Sequence, residues 1–474
     1  MRIQNKLIIA LFLFFSCLLV SQESVFAKSL IPPDKLQYPP LEFRLLQAER
    51  ISLPNGMTLF FLEDHELPLV SINFLLRTGS MYDPAGKEGV AELTAYLMRT
   101  GGTAKLTSDR IDQKLDALAS SPSFSMSLDS ASVHASFFKS DLDAGMTLLS
   151  QMMMQPAFET GKFDIAVSLK TEGLRRVADD PQRLAFREFN RLMYPEDPRG
   201  RYMTTASLRK ITRDDLAAFH NAYFFANNMM VAVSGDLSRE EAINLIIKHF
   251  GSWENKGRIP DIAKPPAKSA SGLFFMRKSL SQSTVVSGEF TVGKNDPDYY
   301  TFLVLDFILG SGGFPSHIFS AVRNNEGLAY SAGSFFRARP NYGVFGTYAF
   351  TKTKTTYQAL SLIHSILKKA ADGSITEAEL TWAKNSIRNG FIFSFDHPAY
   401  IAAQQMTIAF EKLPDDYLTN YLKNIDSVTR SDLKRVAMKY FNDNQRLTLL
   451  LGDTDNFGNP PEFLGQPVYI TPQE

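Results

Sequence analysis

The sequence predicts an α+β protein made of two homologous domains, each with a mixed or antiparallel sheet backed by helices. Two observations carry this prediction: 474 residues exceed what one hydrophobic core usually holds, and the two halves of the chain repeat. Hydrophobic residues make up 44% and charged residues 21%, the balance of a folded domain. The formal net charge is zero, so composition gives no argument for a nucleic-acid partner.

The repeat is clearest where the two halves end. Residues 211–236 and 428–453 align without a gap, 217 residues apart, and are identical at nine positions. Each copy opens with a Thr-x-x-Asp box that caps a helix, and each ends in an apolar strand that stops at Gly-Asp. Residues 59–76 resemble residues 273–290 at a similar spacing of 214. Near-equal spacings at both ends indicate a duplicated domain.

Within each half, strand patterns and helix patterns are grouped, which favours a sheet backed by helices. Asn55-Gly56 predicts a hairpin turn between two short apolar runs. Alternating apolar residues predict a second antiparallel pair, over 124–128 and 133–137. Helices are predicted over 140–154, 158–177 and 182–194, and from a capping box at Thr376 toward Phe391.

The first residues have the pattern of a secretory signal peptide. Arg2 and Lys6 precede an apolar run over 7–20, and small residues predict cleavage after Ala27. The run is short for a membrane span, so we expect an exported, periplasmic chain without a stable span once it is cleaved. Cys17 is the only cysteine; a lipoprotein anchor there is the less favoured alternative, and the mature chain would have no disulfide.

Composition also sets the expected domain boundaries, because a stretch rich in Pro, Lys, Ser and Gly separates the two copies. The predicted segments are a signal peptide (1–27), an extended lead-in (28–42), a first domain (43–257), a linker (258–270), a second domain (271–458) and a tail (459–474).

Four patterns in the same order resemble the insulinase, pitrilysin and mitochondrial processing peptidase family. They are "LPNGMTLFFLED" with "VSINFLLRTGSMYDPAGKEGVAEL", then "ADDPQRLAFREFNRLMYPEDPRGR", the repeated Tyr-x3-Asn…Gly-Asp unit, and "LGSGGFPSHIFSAVRNNEGLAYSAG". The resemblance covers nearly the whole mature chain. It implies two homologous sandwich domains that face each other as a clamshell around a substrate cleft.

In this family the first domain holds zinc on an inverted His-x-x-Glu-His helix, with a later glutamate as third ligand and the helix glutamate as general base. The resemblance places the two histidines at Glu92 and Tyr96, the base at Ala95 and the later ligand at Glu172. Alanine cannot move a proton, and the carboxylates alone would make a poor zinc site. We therefore expect no metal in this chain and interpret Glu172 as a polar helix residue.

The family's second domain contributes an arginine and a tyrosine seven residues apart, and "RNNEGLAY" supplies Arg323 and Tyr330. A phenol can donate to the oxyanion that forms during peptide hydrolysis, and a guanidinium can hold a substrate carbonyl. The alternative is structural: Arg323 as a solvated helix-end residue and Tyr330 as a strand aromatic packed on the core.

The resemblance implies a non-catalytic subunit of an exported heterodimeric zinc peptidase. The partner would be a homologous chain that carries the zinc helix, and the substrate a peptide or unfolded protein held as an added β-strand. The alternative is a binding or scaffold protein of the same fold with no role in proteolysis. An active peptidase with an unusual site is a third, less favoured possibility, because the sequence supplies no evident base.

Overall fold

A computed structural model describes residues 45–257, 270–395, 397–441 and 444–472. We call residues 45–257 the first half and residues 270–472 the second half. Each half contains one six-stranded mixed sheet. The strands of the first sheet are β1 (Glu49–Ser52), β2 (Thr58–Glu63), β3 (Leu69–Leu76), β4 (Ser123–Met126), β5 (Ala131–Phe138) and β6 (Met229–Gly235). Those of the second are β7 (Gly272–Arg277), β8 (Gln282–Thr291), β9 (Ala329–Ala338), β10 (Gly343–Lys352), β11 (Leu447–Gly452) and β12 (Val468–Tyr469).

The two sheets share the arrangement of five strands and differ in the outer strand next to β2 or β7. The order is β1-β2-β6-β3-β5-β4 in the first and β12-β7-β11-β8-β10-β9 in the second. Each has an equivalent parallel pair, β2 with β6 and β7 with β11. The outer strands differ, since β1 pairs antiparallel with β2 and β12 pairs parallel with β7. The neighbours β3 and β8 then pair antiparallel with β6 and β11. The predicted fold class, two homologous sheets backed by helices, is confirmed.

Helices follow the strands in groups. In the first half they are α1 (Val90–Thr100), α2 (Ser108–Ala117), α3 (Leu142–Met154), α4 (Thr160–Val177), α5 (Pro181–Met193), α6 (Thr205–Leu208), α7 (Arg213–Tyr223) and α8 (Arg239–Phe250). In the second half they are α9 (Tyr299–Asp306), α10 (Thr356–Asp372), α11 (Glu377–Ile392), α12 (Pro398–Glu411), α13 (Tyr417–Ser427) and α14 (Arg430–Tyr440). None of these helices, in the part of the chain that the structure describes, is long and apolar enough to cross a membrane.

The repeated unit is a capped helix followed by a central strand. In the first copy, Thr212 and Asp215 form a reciprocal capping box at the start of α7. Thr429 and Asp432 form the same box at the start of α14. Each box satisfies backbone N–H groups that would otherwise lack a partner at a helix start. The equivalent strands β6 and β11 then run through the middle of their sheets.

Most of the predicted local elements are present. The hairpin at Asn55-Gly56 joins β1 to β2, and β4 pairs antiparallel with β5. The three predicted helices are α3, α4 and α5, and Thr376 caps α11 through Glu379 as expected. The signal peptide, Cys17 and the lead-in at 28–42 lie outside the described residues, as does the linker up to residue 269. The domain boundaries stay predictions.

Each sheet has one face covered by a helix of the other half. Helix α5, from the first half, packs across β8 and β11 of the second sheet. There Leu184, Phe189 and Met193 are buried against Val286 and Leu449, in an apolar cluster separate from the main core of the second half. The alternation of strand side chains explains this separation, since Val285 and Leu450 point to the opposite face.

Helix α12 makes the reciprocal contact and packs across β2, β3 and β6 of the first sheet. Its buried residues include Ile401, Met406 and Phe410. On the sheet, Phe60 and Ala232 are paired and buried, yet they stand outside the core cluster that holds their strand neighbours. The faces covered by α5 and α12 are therefore apolar faces that neither half covers with its own helices.

Polar contacts also join the halves. Arg339 forms an ion pair with Asp129, whose side chain is nearly buried. Arg77 donates to the backbone carbonyl of Phe410, and its guanidinium carbon lies 4.6 Å from the centroid of the same ring. A partly buried arginine stacked on an aromatic ring is held by dispersion as well as charge. These contacts fix the second half against the β3 and β5 side of the first sheet.

We predict that the chain stays assembled after it is cut between the halves. A protease site placed within residues 258–269 would allow the linker to be cleaved while α5 and α12 remain in place. Helices α5 and α12 together bury the six large apolar side chains named above. Full burial of even four such side chains contributes on the order of 6–12 kcal/mol. The two fragments are therefore expected to elute together in size-exclusion chromatography. Either half expressed alone should expose an apolar sheet face and bind a hydrophobic dye. Fragments that separate after cleavage without denaturant would contradict the helix exchange.

Candidate functional site

Helix α1 is held by regular core packing. Asp83 caps it, since one carboxylate oxygen accepts from the N–H of Gly89 and the other from the N–H of Ala91, both at 2.7 Å. Burial raises the pKa of Asp83 to about 6, against the effect of these two backbone donors. Ala95, at the position that the family resemblance gives to the general base, is only 4% exposed and contributes to the buried face of the helix.

The carboxylates near α1 are neutralised by neighbouring cations. Glu92 forms an ion pair with Lys170 of α4. The amino group of Lys170 also lies 5.9 Å from the ring centroid of Tyr96. Glu172, on the exposed side of α4, pairs with Arg176 at 3.2 Å and lies 3.8 Å from Arg175. Each of the two carboxylates thus already has a positively charged partner.

These residues do not fit zinc. A catalytic zinc site takes three nitrogen, sulfur or oxygen ligands directed at one point. Here Glu92 is paired with the ammonium of Lys170, and a second cation at the same point would be repelled by it. The base position holds an apolar methyl group. Among the described residues there is also no group of three His, Cys, Asp or Glu side chains placed to hold a metal ion.

The second half carries its candidate residues on irregular backbone. Helix α9 continues into a π-helical segment at Phe307–Ser311, and a second π-helical segment spans Phe319–Asn325. Such segments occur frequently at functional sites. Within the first segment, Gly310 packs so closely on β9 that a Cβ atom there would lie 2.3 Å from the backbone nitrogen of Ser334. Glycine is therefore required at position 310 for β9 to dock on this turn.

Tyr330 sits at a bulge in the edge strand β9. Ser331 pairs with Phe350 of β10, but the next pair joins Ala329 to Thr351, so Tyr330 is the extra residue. Ala329 and Ala332 are both buried in the core cluster, a spacing of three that an unbroken strand with a period of two could not give. The bulge turns Tyr330 outward, and its side chain is 80% exposed.

Arg323 lies at the centre of three aromatic rings. Its guanidinium carbon is 4.8 Å from the ring centroid of Phe319, 5.6 Å from that of Tyr330 and 5.7 Å from that of Phe314. Phe314 is itself 67% exposed. No carboxylate in the described part of the chain lies within ion-pair distance of this guanidinium. We call these four residues the Arg323 cluster: Phe314, Phe319, Arg323 and Tyr330.

The chemistry of the Arg323 cluster suits a polar ligand with a negative or developing negative charge. The rings hold the guanidinium in place through cation–π contacts without neutralising its charge. Arg323 therefore keeps its hydrogen-bond donors for a ligand, and the exposed Tyr330 presents a phenol beside it. This pair can donate to carbonyl oxygens or to an oxyanion.

A buried carboxyl group supports β9 from behind. The hydroxyl of Ser334 donates to Asp306 at 2.5 Å, and Asp306 immediately precedes the first π-helical segment. Burial raises the pKa of Asp306 to about 6, although the hydroxyls of Ser334 and Ser311 act to lower it. The hydrogen bond connects the strand that carries Tyr330 to the helix that leads into the glycine-rich turn.

The structure therefore brings together Arg323 and Tyr330 but not a metal site from Glu92, Tyr96 and Glu172. Several residues around these positions were not predicted. Phe314 and Phe319 lie inside the glycine-rich pattern. Phe314 directly follows Gly312-Gly313, and a large apolar residue in such a turn is a sequence feature that indicates a binding site. Lys170 approaches Glu92 from another helix, and nothing in the local sequence indicates that contact.

Two family models match this chain in adjacent segments. Residues 60–205 match the model described as insulinase (peptidase family M16), and residues 210–387 match the model described as the peptidase M16 inactive domain. Together with the two homologous mixed sheets, these matches define the class of fold. The chain belongs to the insulinase, or M16, family of peptidases.

Individual relatives agree with this assignment. The chain is 24% identical to an uncharacterized zinc protease of Rickettsia felis, over 82% of this chain and 94% of that protein. Among solved structures, a peptidase M16 inactive domain from Pseudomonas fluorescens superposes with a TM-score of 0.81 at 23% identity, covering 88% of this chain and 100% of that one. A protease from Helicobacter pylori superposes with a TM-score of 0.78 at 23% identity, covering 86% and 100%. The two structures support the shared fold.

We predict that replacing Asp306 by asparagine changes stability in a pH-dependent way. Because burial raises the folded-state pKa of Asp306 from 3.8 to about 6, its stabilising contribution is complete below pH 3.8 and is lost as the pH rises through 6. Asp306→Asn keeps an acceptor for Ser334 and removes the charge. Relative to wild type, the variant should therefore gain stability between about pH 4 and about pH 7.5, by ~3 kcal/mol at most.

Urea unfolding of both proteins at the two pH values measures this difference. Asp415→Asn, at an exposed aspartate, serves as the matched control and should show no such dependence on pH. If the difference in unfolding free energy between Asp306→Asn and wild type is the same at both pH values, the result contradicts the effect of burial on the Asp306 carboxylate.

Proposed function

We propose that this chain is a non-catalytic, substrate-binding and transition-state-assisting subunit of an exported heterodimeric zinc metallopeptidase that acts on peptides. The observation that carries the proposal is the contrast between the two candidate sites. The Arg323 cluster presents an unneutralised guanidinium beside an exposed phenol. Helix α1 instead buries an alanine at the position of the base and pairs its carboxylate with lysine. The zinc-binding motif has been lost, and the substrate-binding pair has been kept.

In this proposal the partner is a homologous chain that carries the His-x-x-Glu-His helix, and zinc belongs to that partner. When bound to that partner, zinc would supply a Lewis acid for the scissile carbonyl of the peptide. Tyr330 donates from its hydroxyl to the oxygen on which negative charge develops, and Arg323 holds a neighbouring backbone carbonyl of the substrate. This chain contributes no base, because its side chain at that position is Ala95.

The cellular location belongs to the same proposal. Signal-peptide cleavage after Ala27 would release the chain into the periplasm, where unfolded peptides would be the available substrates. The Rickettsia felis relative is described as a zinc protease, which supports peptide hydrolysis as the activity of the assembled enzyme. The alternative, a scaffold protein with no part in proteolysis, keeps the fold but gives Arg323 and Tyr330 no role.

We predict that the two residues are needed for hydrolysis by the assembled enzyme and not for folding. The mature chain would be purified with a homologous zinc-bearing subunit from the same periplasm, and peptide hydrolysis measured with and without a chelator. Loss of one oxyanion donor typically lowers kcat by about 10²–10³-fold. Tyr330→Phe is therefore expected to lower kcat/KM by at least about 10²-fold. Arg323→Ala is expected to lower it by about 10–100-fold, because a hydrogen bond from a charged group to the substrate is lost.

Tyr400→Phe is the matched control, since Tyr400 is 61% exposed and lies on α12, and it should leave the rate unchanged. Thermal unfolding should be the same for Tyr330→Phe and wild type, because a phenol that is 80% exposed adds little to stability. Full activity of the complex with both substitutions present would favour the scaffold hypothesis. Chelator-sensitive hydrolysis by this chain alone would also contradict the proposal.

A further inference from the structure

A cavity of about 220 Å³ lies where α5 of the first half meets β9 and β10 of the second sheet. Five aromatic side chains line it, together with aliphatic and polar ones: Phe186, Phe189, Tyr194, Phe335 and Tyr342. We call it the aromatic pocket. It is smaller than the roughly 300 Å³ at which pockets begin to hold drug-sized ligands. Its size and lining suit one large apolar side chain of a longer ligand.

The rings of the aromatic pocket continue as a row toward Tyr330. Phe186 lies 5.7 Å from Phe335 and 6.1 Å from Tyr348, and Tyr348 lies 5.2 Å from Phe350, measured between ring centroids. Tyr348 and Phe350 lie on β10. Their partners on the edge strand β9 are Gly333 and Ser331, respectively. Both aromatic side chains are half-buried, and their partners on β9 are small residues.

Among the residues that the structure describes, one cation beside the pocket has no acidic partner. Arg199, behind Tyr194 and Tyr342, is bonded to Asp197 at 2.7 Å. Arg339 is paired with Asp129 across the two halves. Arg337, at the mouth of the pocket, is exposed and stacks at 5.1 Å on Phe335. Within the described ranges no carboxylate lies at ion-pair distance from Arg337.

Geometry connects the pocket to the Arg323 cluster. Strand β9 stands at the edge of its sheet and pairs on one side with β10, so its other side can accept an added strand. Tyr330 and Arg337 are seven residues apart on β9, which corresponds to about 23 Å of extended chain. A peptide strand that passes Tyr330 and follows β9 would therefore bring a later residue to the aromatic pocket.

We propose that the aromatic pocket binds a large apolar side chain of an extended peptide, and that Arg337 binds a carboxylate next to that side chain. The proposal rests on the proposed function in taking a peptide as the ligand, and it adds a preference for an aromatic residue adjacent to a negative charge. The carboxylate is an acidic side chain or the peptide's own C-terminus, which offer the same chemistry to a guanidinium. Occupancy of the pocket does not require the zinc-bearing partner.

Binding of fluorescent ten-residue peptides to the mature chain alone tests the proposal, by anisotropy at low salt. The reference peptide ends in Phe-Asp with an amidated C-terminus. A second replaces Phe by Ala, a third replaces Asp by Asn, and a fourth ends in Phe-Asn with a free C-terminus. We expect the reference to bind at least about tenfold more tightly than the second peptide, which loses the buried apolar ring, and than the third, which loses the charge-assisted hydrogen bond to Arg337. Tight binding of the fourth peptide identifies the C-terminus as the preferred carboxylate.

The variant Arg337→Gln should weaken binding of the reference peptide about tenfold and leave the Asn peptide unchanged. Arg183→Gln, at an exposed arginine of α5 outside the pocket, is the matched control and should change neither. Equal affinities for the Phe and Ala peptides together with weak binding of the fourth peptide would overturn the proposal. So would the absence of any effect of Arg337→Gln on the peptide that binds most tightly. Binding by the chain alone and hydrolysis by the assembled enzyme are separate measurements, so the failure of this proposal and the failure of the proposed function are distinguishable.

Discussion

The constraint on which the rest of the structure depends is that each sheet has two apolar faces and each half covers only one of them with its own helices. Helix α5 covers the free face of the second sheet and α12 covers that of the first. The side chains on these faces are buried only when both halves are present, so neither half has a complete core alone. The exchange also places α5 beside β9 and β10, where the aromatic pocket forms.

The two halves share the arrangement of five strands and differ in how their candidate sites are built. Helix α1 is regular, capped by Asp83, and its residues pack in the core. The equivalent region of the second half contains two π-helical segments, a close glycine contact and a bulge that expels Tyr330 from the core face. Irregular backbone costs free energy and persists only where surrounding contacts hold it in place. Here the hydrogen bond from Ser334 to the buried Asp306 is one such contact. This difference supports a binding role for the second half and a structural role for α1.

The sequence predicted what local rules determine. Capping boxes at Thr212, Thr429 and Thr376, the hairpin at Asn55-Gly56 and the helical periods depend on residues a few positions apart, and the duplication was visible as a repeat. The proximity of Arg323 and Tyr330 followed from the family resemblance. The exchange of α5 and α12 could not be predicted, because an apolar helix face does not show which sheet it will cover. The contact of Lys170 with Glu92 and the assembly of the aromatic pocket from positions 186 to 342 likewise depend on tertiary packing.

The most direct test of an assisting role for this chain is site-specific photo-crosslinking from position 330 in the assembled enzyme. A photoreactive phenylalanine analogue would replace Tyr330 in the mature chain, in complex with a zinc-bearing subunit inactivated by substitution of its own base, and a labelled peptide substrate would be added. If Tyr330 contacts the substrate at the partner's metal, crosslinks should map to the peptide near its cleavage site and should exceed those from the same analogue at Tyr400. Crosslinks to the peptide that are no more frequent from position 330 than from position 400 would contradict the claim that this chain completes the substrate site.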